Sequence, residues 1–78
     1  MRRKYTEEDL QFLKKFGEHL LNLREKARLS QAALETDAKM SKNQIGRIER
    51  GEISTSITNL NLIANALGME LKDLFDFS

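Results

Sequence analysis

The 78-residue sequence predicts an all-α fold, a single compact domain of five helices spanning residues 1–78. Apolar residues recur at helical spacing, and no segment alternates polar and apolar residues as a half-buried strand would. Serine or threonine precedes four of the apolar stripes and glycine follows two of them, which are the residue types that begin and end helices. At this length the chain can bury only one small core, so one domain is expected.

The first helix is predicted from Thr6 to about Ala27. Thr6 and Asp9 form a variant of the capping box, and acidic residues in the first turn favour the positive end of a helix. An apolar stripe follows at helical spacing: Leu10, Leu13, Phe16, Leu20, Leu23 and Ala27. Gly17 interrupts this helix at a cost of about 1 kcal/mol.

A short second helix is predicted to follow Ser30, which caps it. It extends from Gln31 to about Asp37 and turns Leu34 toward the core. A break of three or four residues then precedes the next helix. Two short helices with such a break are typical of a helix-turn-helix.

The third helix is predicted over residues 41–50, with Ser41 as its cap. Gln44 takes the third position of a second capping box. Ile45 and Ile48 are three residues apart and face inward. Gly51 is placed to end the helix in a left-handed conformation.

A fourth helix is predicted between Ser56 and Gly68, and a last helical turn or two over residues 70–75. Apolar residues recur along both segments at helical spacing. They are Ile57, Leu60, Ile63, Ala64, Leu67, Leu71, Leu74 and Phe75. The predicted core combines the inward residues of all the longer helices: Leu20, Leu23, Leu34, Ile45, Ile48, Leu60, Ile63 and Leu67.

The charges are distributed unevenly along the chain. The net charge is only +1, but residues 1–50 carry +4 and residues 51–78 carry −3. A basic front and an acidic back suit a domain that presents one face to phosphates. Chance variation in surface charge is the alternative explanation.

Several classes of site find no support in the composition. There is no cysteine, which excludes disulfides and thiolate metal sites and fits a reducing interior. No apolar run approaches the roughly 20 residues that span a bilayer, and the N-terminus does not read as a secretory signal, so we expect a cytoplasmic protein. His19 lacks a second histidine and is expected to be a surface imidazole, and no acidic residue has a catalytic partner. We therefore expect no metal, no cofactor and no enzymatic activity.

Polar and basic residues collect on the outer side of the third helix. They are Lys42, Asn43, Gln44 and Arg47, with Arg50 at the helix end. A short helix of this kind suits the major groove of DNA, where lysine and arginine match the acceptors of guanine and an amide matches adenine. Ordinary solvated charges are the alternative, and Gln44 could instead point back as the capping-box partner of Ser41.

The first turns of the second and third helices add candidate phosphate contacts. Backbone N–H groups at helix starts bind phosphates readily, so Ser30, Gln31 and Ser41 could anchor a DNA backbone. The two serines could equally serve only as caps, worth about 1 kcal/mol each.

Four segments together match a known pattern. They are Leu23-Arg24 with Leu29-Ser30-Gln31; Leu34; Ser41 with Ile45 and Arg47 to Gly51; and Leu60 with Ile63 to Gly68 and the Leu71 to Phe75 end. On these residues the chain resembles, from about Phe16 to Phe75, the Cro- and phage-repressor-type helix-turn-helix family, the xenobiotic response element regulators.

This resemblance implies a five-helix, lambda-repressor-like DNA-binding domain of a transcriptional regulator, usually a homodimer on a two-fold-related operator. Gln31 corresponds to a glutamine that contacts a phosphate and braces the first residue of the recognition helix. The family's base- and phosphate-facing positions fall on Lys42, Asn43, Gln44 and Arg47. Arg24 and Glu49 correspond to an ion pair that ties the first helix to the recognition helix, although they could also be unrelated surface groups.

The chain departs from the family pattern at five positions: Glu35, Lys39, Gly46, Glu52 and Thr55. The family prefers a small residue at Glu35 and glycine at Lys39, where a left-handed lysine would cost roughly 1–2 kcal/mol. Gly46 replaces a commoner serine or alanine, Glu52 a basic residue and Thr55 a proline. These changes leave the fold in place, but they affect the angle at which the recognition helix docks on DNA and the operator that it recognises.

The sequence thus predicts a sequence-specific DNA-binding regulator, a repressor that occupies its operator on double-stranded DNA. The rival hypothesis is an antitoxin-like protein-interaction module that binds DNA weakly or only with a partner. A homodimer is expected, in which the last two helices form the contact between the two copies. The alternative is that the apolar residues at the end of the chain only complete the monomer core; they are Leu71, Leu74, Phe75 and Phe77. Residues 1–5, with Arg2, Arg3 and Lys4, form either a basic arm that reaches the DNA or a flexible terminus.

Overall fold

The computed structural model describes residues 4–77 and places four α-helices before one short 3-10 helix. These are α1 (Glu7–Lys26), α2 (Gln31–Ala38), α3 (Gln44–Glu49), α4 (Ile57–Ala66) and the 3-10 helix (Leu71–Phe75). No strand occurs in this range. The all-α class is confirmed, but the expected five-helix count is corrected to four, because the last segment forms only a 3-10 turn. Most of the expected N-terminal arm, residues 1–3, lies outside the described residues.

Local caps set the starts of three helices as the sequence predicts. Thr6 accepts a hydrogen bond from the Asp9 amide at 3.1 Å, and the Asp9 carboxylate accepts one from the Thr6 amide at 2.8 Å. Ser30 and Ser56 accept from the backbone three residues later, each at 3.0 Å. The predicted caps of α1, α2 and α4 are confirmed.

The start of α3 was predicted wrongly. The helix begins at Gln44, three residues after Ser41, and its N-cap is Asn43 with a left-handed φ of 72°. The Asn43 side chain makes no capping hydrogen bond, and Ser41 contributes only its carbonyl, which accepts from the Gln44 amide at 3.3 Å. Gln44 therefore opens the helix instead of closing a capping box, and the expected helix of residues 41–50 shortens to six residues.

The core forms where the four α-helices and the 3-10 helix meet. Ten apolar residues are buried: Phe16, Leu20, Leu34, Ala38, Ile45, Ile48, Leu60, Ile63, Ala64 and Leu74. Of the predicted core, Leu23 and Leu67 are only partly buried and pack against this cluster. Leu74 is fully buried in the monomer, so it is removed from the expected dimer surface.

Two glycines bring α1 very close to the end of α3. A Cβ on Gly17 would lie 2.5 Å from the carbonyl oxygen of Ile48 and closer still to that of Glu49. Gly51 has a φ of 73°, and a Cβ there would lie 2.9 Å from the Cα of Lys14. Gly17 is therefore required by the helix crossing, and the predicted left-handed end of α3 at Gly51 is confirmed.

His19 is not the surface imidazole that the sequence suggested. It is partly buried, its Nε2 lies 3.0 Å from the Asp73 carbonyl oxygen, and its ring centre lies 5.3 Å from that of Phe77. These contacts join α1 to the C-terminal turn. Phe77 also packs on Phe12, at 6.0 Å between ring centres.

Candidate nucleic-acid interface

The two sides of α3 differ sharply in exposure. Ile45 and Ile48 are buried in the core, and Arg47, between them in sequence, is exposed. Lys42 and Asn43 are exposed in the turn that precedes the helix, and Gln44 is partly buried at its first position. The four residues expected to read DNA thus occupy the first positions of α3 and the turn before it, and none of them is fully buried.

The amides of Asn43 and Gln44 are not used to cap α3. The helix has no side-chain cap from Asn43, and the box that would have turned Gln44 back toward Ser41 does not form. The main alternative use of the Gln44 side chain is therefore removed. Lys42 and Asn43 sit on the turn instead of on the helix, so their directions depend on the backbone of residues 39–43.

Behind α3 lies a buried polar network centred on Glu49. The Arg24 guanidinium donates to the Glu49 carboxylate through Nε at 2.6 Å and Nη2 at 3.1 Å, and through Nη1 to the Leu29 carbonyl at 2.9 Å. The two side chains are only 11% and 3% exposed. The hydrogen bond to Glu49 raises the pKa of Arg24 above its ordinary value. Removing one partner of such a pair typically costs about 3–5 kcal/mol.

Gln31 joins this network from the start of α2. Its Nε2 donates to Glu49 Oε1 at 2.9 Å. Gln31 therefore braces the last residue of α3, whereas the resemblance implied that it braces the first. Gly46 makes room for this contact. A Cβ there would lie 3.2 Å from Gln31 Oε1 and 3.0 Å from Arg50 Nη1.

Arg50 is engaged by an acid at the end of α3. Its Nε donates to Glu52 Oε2 at 2.6 Å, and both side chains are exposed. This hydrogen bond lowers the pKa of Glu52 and raises that of Arg50. An exposed pair contributes little to stability, but it places a negative charge beside a candidate phosphate contact.

The remaining candidate phosphate contacts, Ser30 and Ser41, are both exposed. Ser30 is occupied as the cap of α2, whereas Ser41 is not a cap. Thr55, at a position where proline is frequent in the family that the sequence resembles, accepts a hydrogen bond from Asn59 Nδ2 at 2.9 Å. Within residues 4–77, no group of histidine and acidic residues is arranged to hold a metal ion, and no helix is long and apolar enough to cross a membrane.

Sequence reasoning missed one residue beside this surface. Glu35 is buried on α2, and its Oε2 accepts a hydrogen bond from the Ile45 amide at 3.0 Å. The family prefers a small residue at this position, so the glutamate found here was the sequence signal that could have indicated such a contact.

The structure buries some residues of the predicted dimer surface and leaves others exposed. Leu74 belongs to the core, and Leu71 and Phe77 are partly buried. Phe75 remains 45% exposed, and Ile57, at the start of α4, is 74% exposed. These two residues are the large apolar side chains that α4 and the 3-10 helix leave open to solvent.

Comparisons with known proteins indicate the same helix-turn-helix arrangement. A family model described as helix-turn-helix matches residues 20–74. Control protein C.BamHI of Bacillus amyloliquefaciens is 36% identical over 64 residues, which cover 81% of this chain and 79% of that protein.

Two solved structures are similar to this chain. The crystal structure of the restriction-modification controller protein C.AhdI from Aeromonas hydrophila superposes with a TM-score of 0.81 at 35% identity, covering 83% of this chain and 98% of that one. An HTH_3 family transcriptional regulator from Vibrio cholerae gives a TM-score of 0.79 at 36% identity, covering 86% of this chain and 38% of that one.

Proposed function

Because the chain belongs to the helix-turn-helix family of DNA-binding transcriptional regulators, we propose that it recognises a specific DNA site by placing α3 in the major groove. The observation that carries this proposal is the orientation of α3. Ile45 and Ile48 hold its inner side in the core, while Arg47 projects to solvent beside Lys42 and Asn43.

Each exposed group has a chemical role in this arrangement. Arg47 and Lys42 supply cations for guanine or for phosphates, and the amides of Asn43 and Gln44 match adenine. Ser30, Gln31, Ser41 and Arg50 would position the DNA backbone. Arg24 and Glu49 would not touch DNA, because they are buried and pair with each other behind α3.

We propose that the protein is a controller of the same kind as its relatives, one of which is named as a restriction-modification controller protein. It would act in the cytoplasm and repress by occupying its site. A single domain buries only about 600–1,000 Å² on DNA, so tight and selective binding calls for a homodimer of these lambda-repressor-like domains on a pair of half-sites.

The test is selection of duplexes from a random pool, followed by affinity measurements at several salt concentrations. We expect a preferred sequence, and an affinity whose logarithm falls with log salt by about 0.9 for each phosphate contacted. A protein-interaction module of the antitoxin type would instead show little binding to any duplex at low or high salt, and that result would overturn the proposal.

A further inference from the structure

We propose that Glu35 is a positioning residue for DNA reading, because its buried carboxylate sets where α3 begins and how Asn43 and Gln44 are presented. Glu35 lies on α2 and is itself covered from solvent, with 8% of its surface exposed. The DNA part of this proposal rests on the proposed function, whereas the structural part does not.

Glu35 links the end of one helix to the start of the next. Its side-chain Oε2 accepts from the Ile45 amide at 3.0 Å, and its backbone carbonyl accepts from the Met40 amide at 2.9 Å. One residue therefore fixes both sides of the turn that carries Lys42 and Asn43. A hydrogen bond to a charged carboxylate is stronger than one between neutral groups, which suits this task.

The start of α3 has little else to define it. Its N-cap, Asn43, has a left-handed backbone and makes no side-chain cap, and Ser41 offers only a carbonyl at 3.3 Å from the Gln44 amide. The first N–H groups of any helix lack partners within the helix. The carboxylate of Glu35 satisfies one of them from ten residues away in sequence.

The rest of α3 is held independently of Glu35. Glu49 is anchored by Arg24 and Gln31, and Ile48 is buried in the core. Loss of the Glu35 contact should therefore loosen the first turn of α3 and leave its end in place. Base pairs read by Asn43 and Gln44 should lose discrimination, while those contacted by Arg47 should keep it.

Glu35→Ala and Glu35→Gln separate the contact from the charge. Glutamine loses the charge but keeps an oxygen that can accept from Ile45, whereas alanine loses both. Asp37→Ala is the matched control, because Asp37 is an exposed acid of the same helix. Hydrogen exchange of the Ile45 amide is measured without DNA, together with the melting temperature. The base preference at each operator position and binding to random duplex are measured separately.

We expect the Ile45 amide of the alanine variant to exchange about tenfold faster than in the wild type. The base preference of this variant should also fall about tenfold, but only at the operator positions read by Asn43 and Gln44. The glutamine variant and the Asp37 control should stay close to the wild type. If both Glu35 variants instead bind random duplex more tightly to the same extent, charge alone matters and the proposal is overturned.

Unchanged exchange at Ile45 in the alanine variant would also overturn the proposal, as would faster exchange with an unchanged base preference. If the wild type itself fails to bind DNA, the proposed function falls. The exchange measurement then still decides whether Glu35 holds the start of α3.

Discussion

At the scale of single residues, the pairing of Arg50 with Glu52 limits how much positive charge the end of α3 presents. The carboxylate is hydrogen-bonded to the guanidinium at 2.6 Å. Its pKa is lowered by this bond, so Glu52 is charged at neutral pH and the pairing is lost only as the pH falls through that lowered value. A phosphate must compete with Glu52 for Arg50.

Replacing Glu52 by glutamine should free Arg50 for the DNA backbone. We expect tighter binding to random duplex and a salt dependence steeper by about one phosphate contact, a change of about 0.9 in slope. Fluorescence anisotropy titrations at several salt concentrations measure both. Glu70→Gln is the control, since Glu70 is also an exposed acid and its carboxylate lies 3.6 Å from Lys72 Nζ. Equal effects of the two substitutions would show that only net charge matters.

Arg47 is the exposed cation on α3 itself, and its removal should affect base reading. We expect Arg47→Ala to weaken binding to the preferred site by roughly 1–3 kcal/mol and to relax sequence choice if it contacts a base edge. The measurement compares specific and random duplexes under the same salt. Equal losses on both duplexes would assign Arg47 to a phosphate instead.

At the scale of helices, local sequence patterns predicted the helix starts that neighbouring residues determine, and they did not predict contacts between distant residues. Thr6, Ser30 and Ser56 each cap a helix through a backbone N–H three residues away, so the pattern is visible locally. The start of α3 depends on Glu35, ten residues upstream, and His19 is drawn inward by Asp73, 54 residues away. Such long-range contacts leave no periodic signal in the sequence.

The turn between α2 and α3 stores strain at Lys39, whose φ is 57°. Glycine adopts this conformation freely, whereas a residue with a Cβ does so at a cost of roughly 1–2 kcal/mol, partly offset by the greater freedom of glycine in the unfolded chain. We expect Lys39→Gly to be about 1 kcal/mol more stable than Lys39→Ala, which removes the same charge but keeps the Cβ. Chemical denaturation measures the difference, and a less stable glycine variant would argue against the left-handed turn.

The crossing of α1 and α3 should not tolerate a side chain at Gly17. Alanine is the better helix former by about 1 kcal/mol, so propensity alone predicts stabilisation. The Cβ would instead meet the backbone carbonyls of Ile48 and Glu49, and we expect Gly17→Ala to destabilise the protein by about 1–3 kcal/mol. Thermal melting decides the sign. Glu18→Ala, at an exposed neighbouring position, should change the melting temperature little.

At the scale of the whole molecule, α4 and the 3-10 helix each expose one large apolar side chain, Ile57 and Phe75. If these side chains join two copies, Ile57→Ser and Phe75→Ser should shift the protein from dimer to monomer in sedimentation experiments. Binding to paired half-sites about one helical turn apart, 10–10.5 base pairs, should weaken accordingly. Leu10→Ser, at an exposed apolar residue of α1, is the control. Dissociation caused by that variant alone would move the interface to α1.

The contact between Gly17 and the backbone of α3 has a consequence for how an operator is chosen. Because its end packs this closely against α1, we expect α3 to have little freedom to tilt and follow the curvature of the duplex. If the protein binds as a dimer, we expect a mismatch between the separation of the two recognition helices and the spacing of the two grooves to be absorbed largely by the DNA. The base steps between the half-sites, which no side chain touches, would affect affinity through their bending stiffness.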